Sequence, residues 1–474
     1  MEHLSTFATL ELPMIVNFAD RAHNHNWELD PIVRSLLDTD FYKLLMLQFI
    51  WKHFRTTRVS FGLHNRNLKF RLCEMVHREE VIAQFEHVRK LKFRKSELIW
   101  LAGNTFYGTR GIFESAFLEW LENDFALSEY QLSEEDGQFR LSFEGPWVAV
   151  TMWEIYALSI LNELKTRAAL KTMDEFELDI LYAHAKTRLW GKIEKLRDVP
   201  SLAVADFGTR RRHSFLWQEF AVEAMHAELG KNFSGTSNTF LAYKHDLEAI
   251  GTNAHEIPMA MAAMSNSDEE LKASQYKMLD LWAQTYGGAL QVMLPDTYGT
   301  TQFLQGAPAW VADWTGQRVD SKDPFLAGDE YILWLESRGR DPKSKLLIAS
   351  DGLDVQEILS LHAYFSGHIL PGISARDFRN AADFTDERKW RPERRIRFSA
   401  GWGTLLTNDF RDCHPRNEDG LEPISLVCKL TSAEGHPAVK LSDNYLKASG
   451  PKPLIAHYRK VFGIAGVANI PVLV

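Results

Sequence analysis

From residue 146 onward the chain alternates between two patterns. Short apolar runs at 202–207, 235–237, 249–252, 291–294, 311–314, 346–349 and 396–399 are separated by stretches with helical spacing. Runs this short suit buried strands, and helices between them make successive strands parallel. Enough such units argue for closure, so the pattern predicts an irregular α/β barrel over residues 146–409. In a barrel, the residues just after each strand form one functional rim. That rule gathers 207–212, 237–238, 253–256, 296–297, 320–323, 350–354 and 401–404 on one face.

The chain before the barrel reads differently. Residues 1–30 form a lead-in without clear pattern. From 35 to 54, Leu36, Leu37, Phe41, Leu44, Leu45, Leu47, Phe49 and Trp51 recur at helical spacing, with Asp38 or Asp40 as the cap. Short strands are expected at 59–63 and 70–72, and helical segments at 78–88, 96–101 and 111–123. The alternation in 139–143 predicts another strand. Residues 148–164 and 173–195 read as helices. The whole is an α/β protein: a barrel domain at 146–409, an additional α+β domain at 1–145, and a segment at 410–474 that packs back on the N-terminal domain.

Charge and cysteine content narrow the function. A formal net charge of −9 argues against a general nucleic-acid binder, though not against a local basic pocket. Cys73, Cys413 and Cys428 are the three cysteines, and they lack metal-ligand spacing. Reduced thiols in the cytoplasm are the economical reading. The first twenty residues are acidic rather than basic, unlike a signal peptide. No apolar run approaches the roughly 20 residues that span a bilayer, so no membrane is expected.

Four rim segments have a composition that no strand or amphipathic helix requires. They are Asp206-Phe-Gly-Thr-Arg-Arg-Arg212, Gly235-Thr-Ser-Asn238, Asn253-Ala-His-Glu256 and Gly401-Trp-Gly-Thr404. Glycines let backbone N–H groups approach an anion, and arginines supply planar cationic forks. Each residue also has a plainer reading. His255 is one of 17 histidines, and Arg210–Arg212 can be a solvated charge run. If that run is extended, Arg210 and Arg212 share a face. Tyr42 fits the apolar face of the first helix, Phe207 fits a strand end, Ser237 a turn, and Asp320 and Asp351 helix caps. Gly401, Gly403 and Thr404 suit an anion site or a generic turn. There is no Walker loop, so any ATP must use another kind of site.

Taken in order, the motifs resemble those of the nicotinate phosphoribosyltransferases, in the type II phosphoribosyltransferase group. They run from Leu37-Asp-Thr-Asp-Phe-Tyr-Lys43 through the segments above to Asp296-Thr-Tyr298, Arg318-Val-Asp-Ser-Lys-Asp-Pro324, Ser350-Asp-Gly-Leu-Asp354, Gly401–Asp409 and Val439-Lys-Leu-Ser-Asp443. The resemblance implies transfer of phosphoribose from 5-phosphoribosyl 1-pyrophosphate to nicotinate, for NAD synthesis. It also implies coupling to ATP hydrolysis through a phosphorylated histidine, which places the enzyme in the ligase class. His255 matches the phosphorylated position, with Glu256 and Asp320 as catalytic partners and Mg²⁺ as cofactor; its ligands are left unassigned. Tyr42, Phe207, Arg210 and Ser237 match the nicotinate site. Arg318, Asp351, Gly401, Gly403 and Thr404 match the ribose and phosphate sites. A tyrosine matching Tyr42 reaches across the subunit interface in the nicotinamide enzyme, which implies a homodimer. Where the nicotinamide-using relatives carry an aspartate, Ser237 offers a neutral hydroxyl, expected to favour nicotinate.

Two departures stand out. Lys322 replaces a common glycine, where it would contact a phosphate or obstruct the backbone. Trp402 sits inside the glycine loop and must point away if backbone amides hold an anion. The alternatives are a nicotinamide phosphoribosyltransferase and a non-catalytic regulatory relative.

Overall fold

The computed structural model describes residues 31–350, 352–367, 395–416 and 420–468. Helix α1 (Phe41–His53) is apolar on nearly every side and lies in the core, with Phe41, Leu44, Leu45, Met46 and Leu47 at zero exposure. Asp40 precedes it, but its side chain makes no cap hydrogen bond. Strand β1 (Arg58–Asn65) then pairs antiparallel with β3 (Gln138–Pro146), which forms a hairpin with β2 (Tyr130–Glu135). Residues 70–72 do not form the expected strand. The Phe70 carbonyl accepts from the Asn65 and Gln138 side-chain amides, and the chain turns at once into the short helix Leu72–Met75. An apolar triplet cannot distinguish a strand from a packed turn.

The stretch at 148–164 is two helices, Trp147–Val150 and α2 (Trp153–Leu170). After the long helix Glu175–Arg197 the barrel begins. Its parallel strands are β4 (Val204–Asp206), β5 (Phe233–Thr236), β6 (Val292–Met293), β7 (Gly316–Val319), β8 (Leu346–Ser350) and β9 (Arg397–Trp402). They lie in the order β5-β4-β9-β8-β7-β6, so the last strand returns to pair with the first. Between β5 and β6 the wall is irregular. Residues 249–252 are not a full strand; Ala249 forms one parallel bridge to Thr236. The Asn253 side chain then donates to the Val292 carbonyl at 2.9 Å. One amide side chain does there what a backbone ladder does elsewhere.

The expected strand at 311–314 is a 3-10 helix, Ala309–Asp313, started by Pro308. The true strand, β7, follows it. Its Gly316-Gln317-Arg318-Val319 sequence lacks an apolar run. Glycine is needed there because a Cβ on Gly316 would lie 2.3 Å from the Leu346 carbonyl oxygen.

The C-terminal part serves both domains. Strand β10 (Leu426–Ala433) pairs antiparallel with β1. The chain then crosses the barrel rim, where Leu441 and Ser442 N–H groups both donate to the Thr297 carbonyl. Among the described residues, no helix is long and apolar enough to cross a membrane.

Candidate active site

The ends of the barrel strands open into a cavity closed over by α1, α2 and β10. Its two ends differ in chemistry. At one end, β4 finishes at the buried Asp206, whose carboxylate accepts from Gly208 N, Gln218 Nε2 and Thr236 Oγ1 at 2.8, 2.8 and 2.7 Å. These bonds fix the turn that projects Phe207 and the 3-10 segment Thr209–Arg211. Phe207 lies flat against Gly401; a Cβ there would come within 2.3 Å of its ring. Phe207 N donates to the Trp402 carbonyl, and Thr407 Oγ1 to the Gly208 carbonyl. The two loops are therefore one knitted unit.

The three arginines diverge because the segment is helical rather than extended. Arg210 lines the cavity, with its NH1 3.6 Å from Glu154 Oε1. Arg212 does not share its face. It is wholly buried and forms a bidentate pair with Asp38 at 2.7 and 2.9 Å, so it builds the core. Arg211 also lines the cavity, and its carbonyl accepts from Asn408 Nδ2.

Tyr42, on the first turn of α1, lines the cavity of its own chain. Ser237 also lines the cavity, and its hydroxyl donates to Asp40 Oδ1 at 2.6 Å. The sequence reading missed this pairing. Asp40 does not act as the expected cap; its carboxylate lines this end of the cavity, and burial pushes its pKa up.

At the other end His255 stands just before α3 (Glu256–Ala263). Its Nδ1 is 2.9 Å from Thr297 Oγ1 and its Nε2 3.0 Å from Asp320 Oδ2. Asp296 Oδ1 is 3.7 Å away. Burial, then the nearby Lys440 charge, lowers the His255 pKa, so the ring is neutral at physiological pH. Burial raises Asp320, but the His255 hydrogen bond and the Lys440 charge outweigh it and hold the carboxyl well below its usual range. Since that carboxylate can only accept, Nε2 carries the proton and Nδ1 keeps its lone pair.

Glu256 is not the partner of His255. Its carboxylate turns away, accepting from Trp147 Nε1 and from Lys43 Nζ, each at 2.5 Å. Lys43 also meets Glu154 at 2.7 Å. Adjacent residues at a helix start point in different directions, and here Glu256 clamps α3 to the N-terminal domain.

A cationic wall lies beside His255. Lys440 Nζ is 3.6 Å from Asp320 Oδ2, and Lys447 Nζ donates to the Asp320 carbonyl at 2.9 Å. Arg66, Lys429 and Arg318 line the same cavity. Burial, with Lys440 and Arg66 close by, holds the Lys429 pKa well below that of a free lysine. The sequence reading quoted the Lys440 motif without giving it a role, and it missed Lys429 and Arg66. The available signal was the parity of β10, where a lysine interrupts an apolar strand.

Gly401, Gly403 and Thr404 line the cavity, and the helix after them, Thr404–Thr407, is a single turn. Trp402 is fully buried, with Lys192 Nζ 5.5 Å from its ring centre. It leaves the loop backbone open. Lys322 neither obstructs nor reaches the cavity; its ammonium is held by Glu330 at 2.5 Å and Thr301 at 3.0 Å. Asp351 lies outside the described residues. The ligand atoms of His255, Asp296 and Asp320 lie within 4.8 Å of one another.

An irregular α/β barrel with an added α+β domain, and a cavity pairing a carboxylate-bound histidine with a cationic wall and an arginine–phenylalanine platform, define a phosphoribosyltransferase of the type II class. The N-terminal domain model of the nicotinate phosphoribosyltransferase (NAPRTase) family matches residues 37–162, and the NAPRTase family model matches residues 202–465. The chain belongs to the nicotinate phosphoribosyltransferase family. Its structure is similar to nicotinate phosphoribosyltransferase from Porphyromonas gingivalis (26% identity, TM-score 0.74), over 91% of this chain and 100% of that one. The Vibrio cholerae nicotinate phosphoribosyltransferase is similar at 27% identity and TM-score 0.75, over 92% and 94% of the two chains. A putative nicotinate phosphoribosyltransferase from Saccharomyces cerevisiae shares the fold at 24% identity and TM-score 0.74, over 92% and 100%.

Proposed function

We infer that this enzyme joins nicotinate to 5-phosphoribosyl 1-pyrophosphate, releasing pyrophosphate and forming nicotinate mononucleotide, with ATP hydrolysis coupled through His255. The observation that carries the reading is the shared cavity, which an aromatic–cation pair lines together with a cluster of lysines and arginines. Phe207 and Tyr42 flank a flat ring, and Arg210 binds the nicotinate carboxylate by a charge-assisted hydrogen bond. The cationic wall and the glycine loop hold the phosphates. As pyrophosphate departs, the ribose C1 becomes oxocarbenium-like, and the pyridine nitrogen attacks it. An aromatic nitrogen needs no strong general base, so catalysis here is positioning and charge stabilisation.

For the ATP step, Asp320 holds the Nε2 proton while the Nδ1 lone pair, on release of the Thr297 hydroxyl, attacks the γ-phosphorus. ADP leaves and phosphohistidine remains, later hydrolysed to phosphate. Lys440 lies where it can neutralise the transferred phosphoryl group. Asp296 and Asp320 fit Mg²⁺: both are oxygen donors, and Asp296 Oδ1 is buried without a hydrogen-bond partner. The ion, when bound, offsets the phosphate charge. The free thiols of Cys73, Cys413 and Cys428 support a cytoplasmic setting.

One observation favours the nicotinamide alternative. Asp40 and Glu154 are carboxylates at the base end, and either can accept from an amide NH₂. The test is to incubate the purified enzyme with Mg²⁺, phosphoribosyl pyrophosphate and labelled nicotinate or nicotinamide, with and without ATP. The expected result is nicotinate mononucleotide, increased by ATP with release of ADP and phosphate. Preferential labelling from nicotinamide would replace the reading.

A further inference from the structure

The base end already holds carboxylates where an anionic ring has to bind. Lys43, Arg210 and Arg211 lie among the carboxylates of Asp40, Glu154 and Glu256. Lys43 is already shared between Glu154 and Glu256 at 2.7 and 2.5 Å. Nicotinate adds another carboxylate to this buried region. A carboxylate brought beside a buried carboxylate is repelled, and a proton on one of the two relieves that repulsion.

The hydrogen-bond pattern shows which group receives the proton. Glu154 and Glu256 both have a lysine. Asp40 has no ion-pair partner within 4 Å among the described residues, and its close partner is the neutral hydroxyl of Ser237 at 2.6 Å. The groups facing Asp40 are Ser237 from the end of β5, Thr209 and Arg210 from the 3-10 segment, Glu154 from α2 and Tyr42 on α1. Asp206, behind it on β4, is satisfied by three neutral donors and does not line the cavity. Burial raises the Asp40 pKa, with Ser237 and Arg210 opposing.

The direction of the Ser237 bond matters as well. Ser237 has one proton and spends it on Asp40, so its oxygen shows only lone pairs to the cavity. Lone pairs suit an amide NH₂ and oppose a carboxylate. A neutral serine therefore does not by itself select nicotinate.

We propose that Asp40 takes up one proton when nicotinate binds, and that this reverses the Ser237 hydroxyl so that it donates to the nicotinate carboxylate. The proton comes from solvent. It forms an O–H bond on Asp40, which then donates to Ser237 Oγ, and no bond of the substrate breaks. Nicotinamide needs no such step, because its NH₂ donates to Ser237 while Asp40 stays ionised. The Asp40–Ser237 pair thus sets base selectivity, and alkaline pH weakens nicotinate alone. This rests on the nicotinate reading above.

The test compares nicotinate with nicotinamide, used as substrate or competitive inhibitor, across the pH range. Measuring both on one enzyme cancels titrations of the phosphate end. In the wild type, the preference for nicotinate falls towards tenfold per pH unit once Asp40 of the free enzyme is ionised. Calorimetry in buffers of different ionisation enthalpy then shows uptake approaching one proton per nicotinate. In Asp40→Asn the amide donates to Ser237 permanently, so both the slope and the uptake vanish. Ser237→Ala is the second variant; it weakens nicotinate about tenfold, as expected for a lost hydrogen bond to a charged group, and reduces the uptake. A wild type that turns over nicotinate with a pH-independent preference and no proton uptake overturns the proposal. Uptake that persists unchanged in both variants also overturns it. A wild type that does not use nicotinate at all overturns the functional reading instead.

Discussion

The two ends of the cavity solve opposite electrostatic problems. At the histidine end, five cations line the wall and His255 is held at 2.9 and 3.0 Å on its two ring nitrogens. That end is preorganised for groups that carry several negative charges. At the base end, carboxylates and cations are interleaved, and Arg210 is held by a 3.6 Å contact to Glu154 with 41% of its side chain exposed. A partly exposed guanidinium can bind a ligand carboxylate, in competition with Glu154. Phosphates are met by fixed charge, whereas the ring carboxylate is met by charge that rearranges. Mutations at the first end should act on chemistry and coupling, and mutations at the second on base affinity.

The largest expected effect tests the histidine end. His255→Ala removes the nucleophile, so ATP hydrolysis and the ATP stimulation of transfer disappear while a slow ATP-independent transfer remains. Labelling with γ-³²P ATP checks it; label on another wild-type residue would break the assignment. Arg210→Ala tests the base end. A charge-assisted hydrogen bond is worth about 1.5–3 kcal/mol, so the nicotinate KM should rise at least tenfold while that for phosphoribosyl pyrophosphate changes little. Equal changes in both would erase the distinction between the ends.

Lys440→Met sharpens the comparison through pH. Burial is the main cause of the low His255 pKa and Lys440 the second. Removing that charge raises the His255 pKa, so the acid limb of ATP hydrolysis moves to higher pH. The pH profile of the ATPase is the measurement, and an unshifted limb would remove Lys440 from the histidine's field.

The smallest effect concerns the frame that carries Lys440. Asp443 accepts from Thr300 N and Oγ1 at 2.9 and 2.6 Å, and burial raises its pKa from 3.8 to about 6. Between these values the folded protein holds a proton that the unfolded chain has released. Stability therefore falls as pH rises through this window, by on the order of 3 kcal/mol above pH 6. Asp443→Asn should flatten that slope in Tm measured from pH 4.5 to 7. Asp206, also raised to about 6, leaves some slope behind.

Legibility in the sequence followed physical cause. Helix α1 and strands β8 and β9 were readable because apolar periodicity follows directly from burial. Strand β7 was not, because Gly316-Gln317-Arg318-Val319 owes its place to a close backbone approach and to a side chain facing the cavity. Residues 311–314 misled for the opposite reason: a buried 3-10 turn is as apolar as a strand. Within the site, the motifs located the loops but not the directions of side chains. Glu256 and His255 are neighbours in sequence, yet one clamps a helix and the other faces Asp320.

The sequence by itself determined that parallel strands alternate with helices, that the chemically active loops share one rim, and that the motif order is that of the nicotinate phosphoribosyltransferases. These are properties of pattern, and local sequence carries pattern. Only the tertiary structure decided that Asp320 is the partner of His255, that Asp40 holds the Ser237 proton, that Lys322 is tied to Glu330 and that Tyr42 lines the cavity. Each depends on a distance between residues far apart in the chain. A hydrogen bond exists only within about 3 Å and near one direction, which spacing along a sequence does not encode.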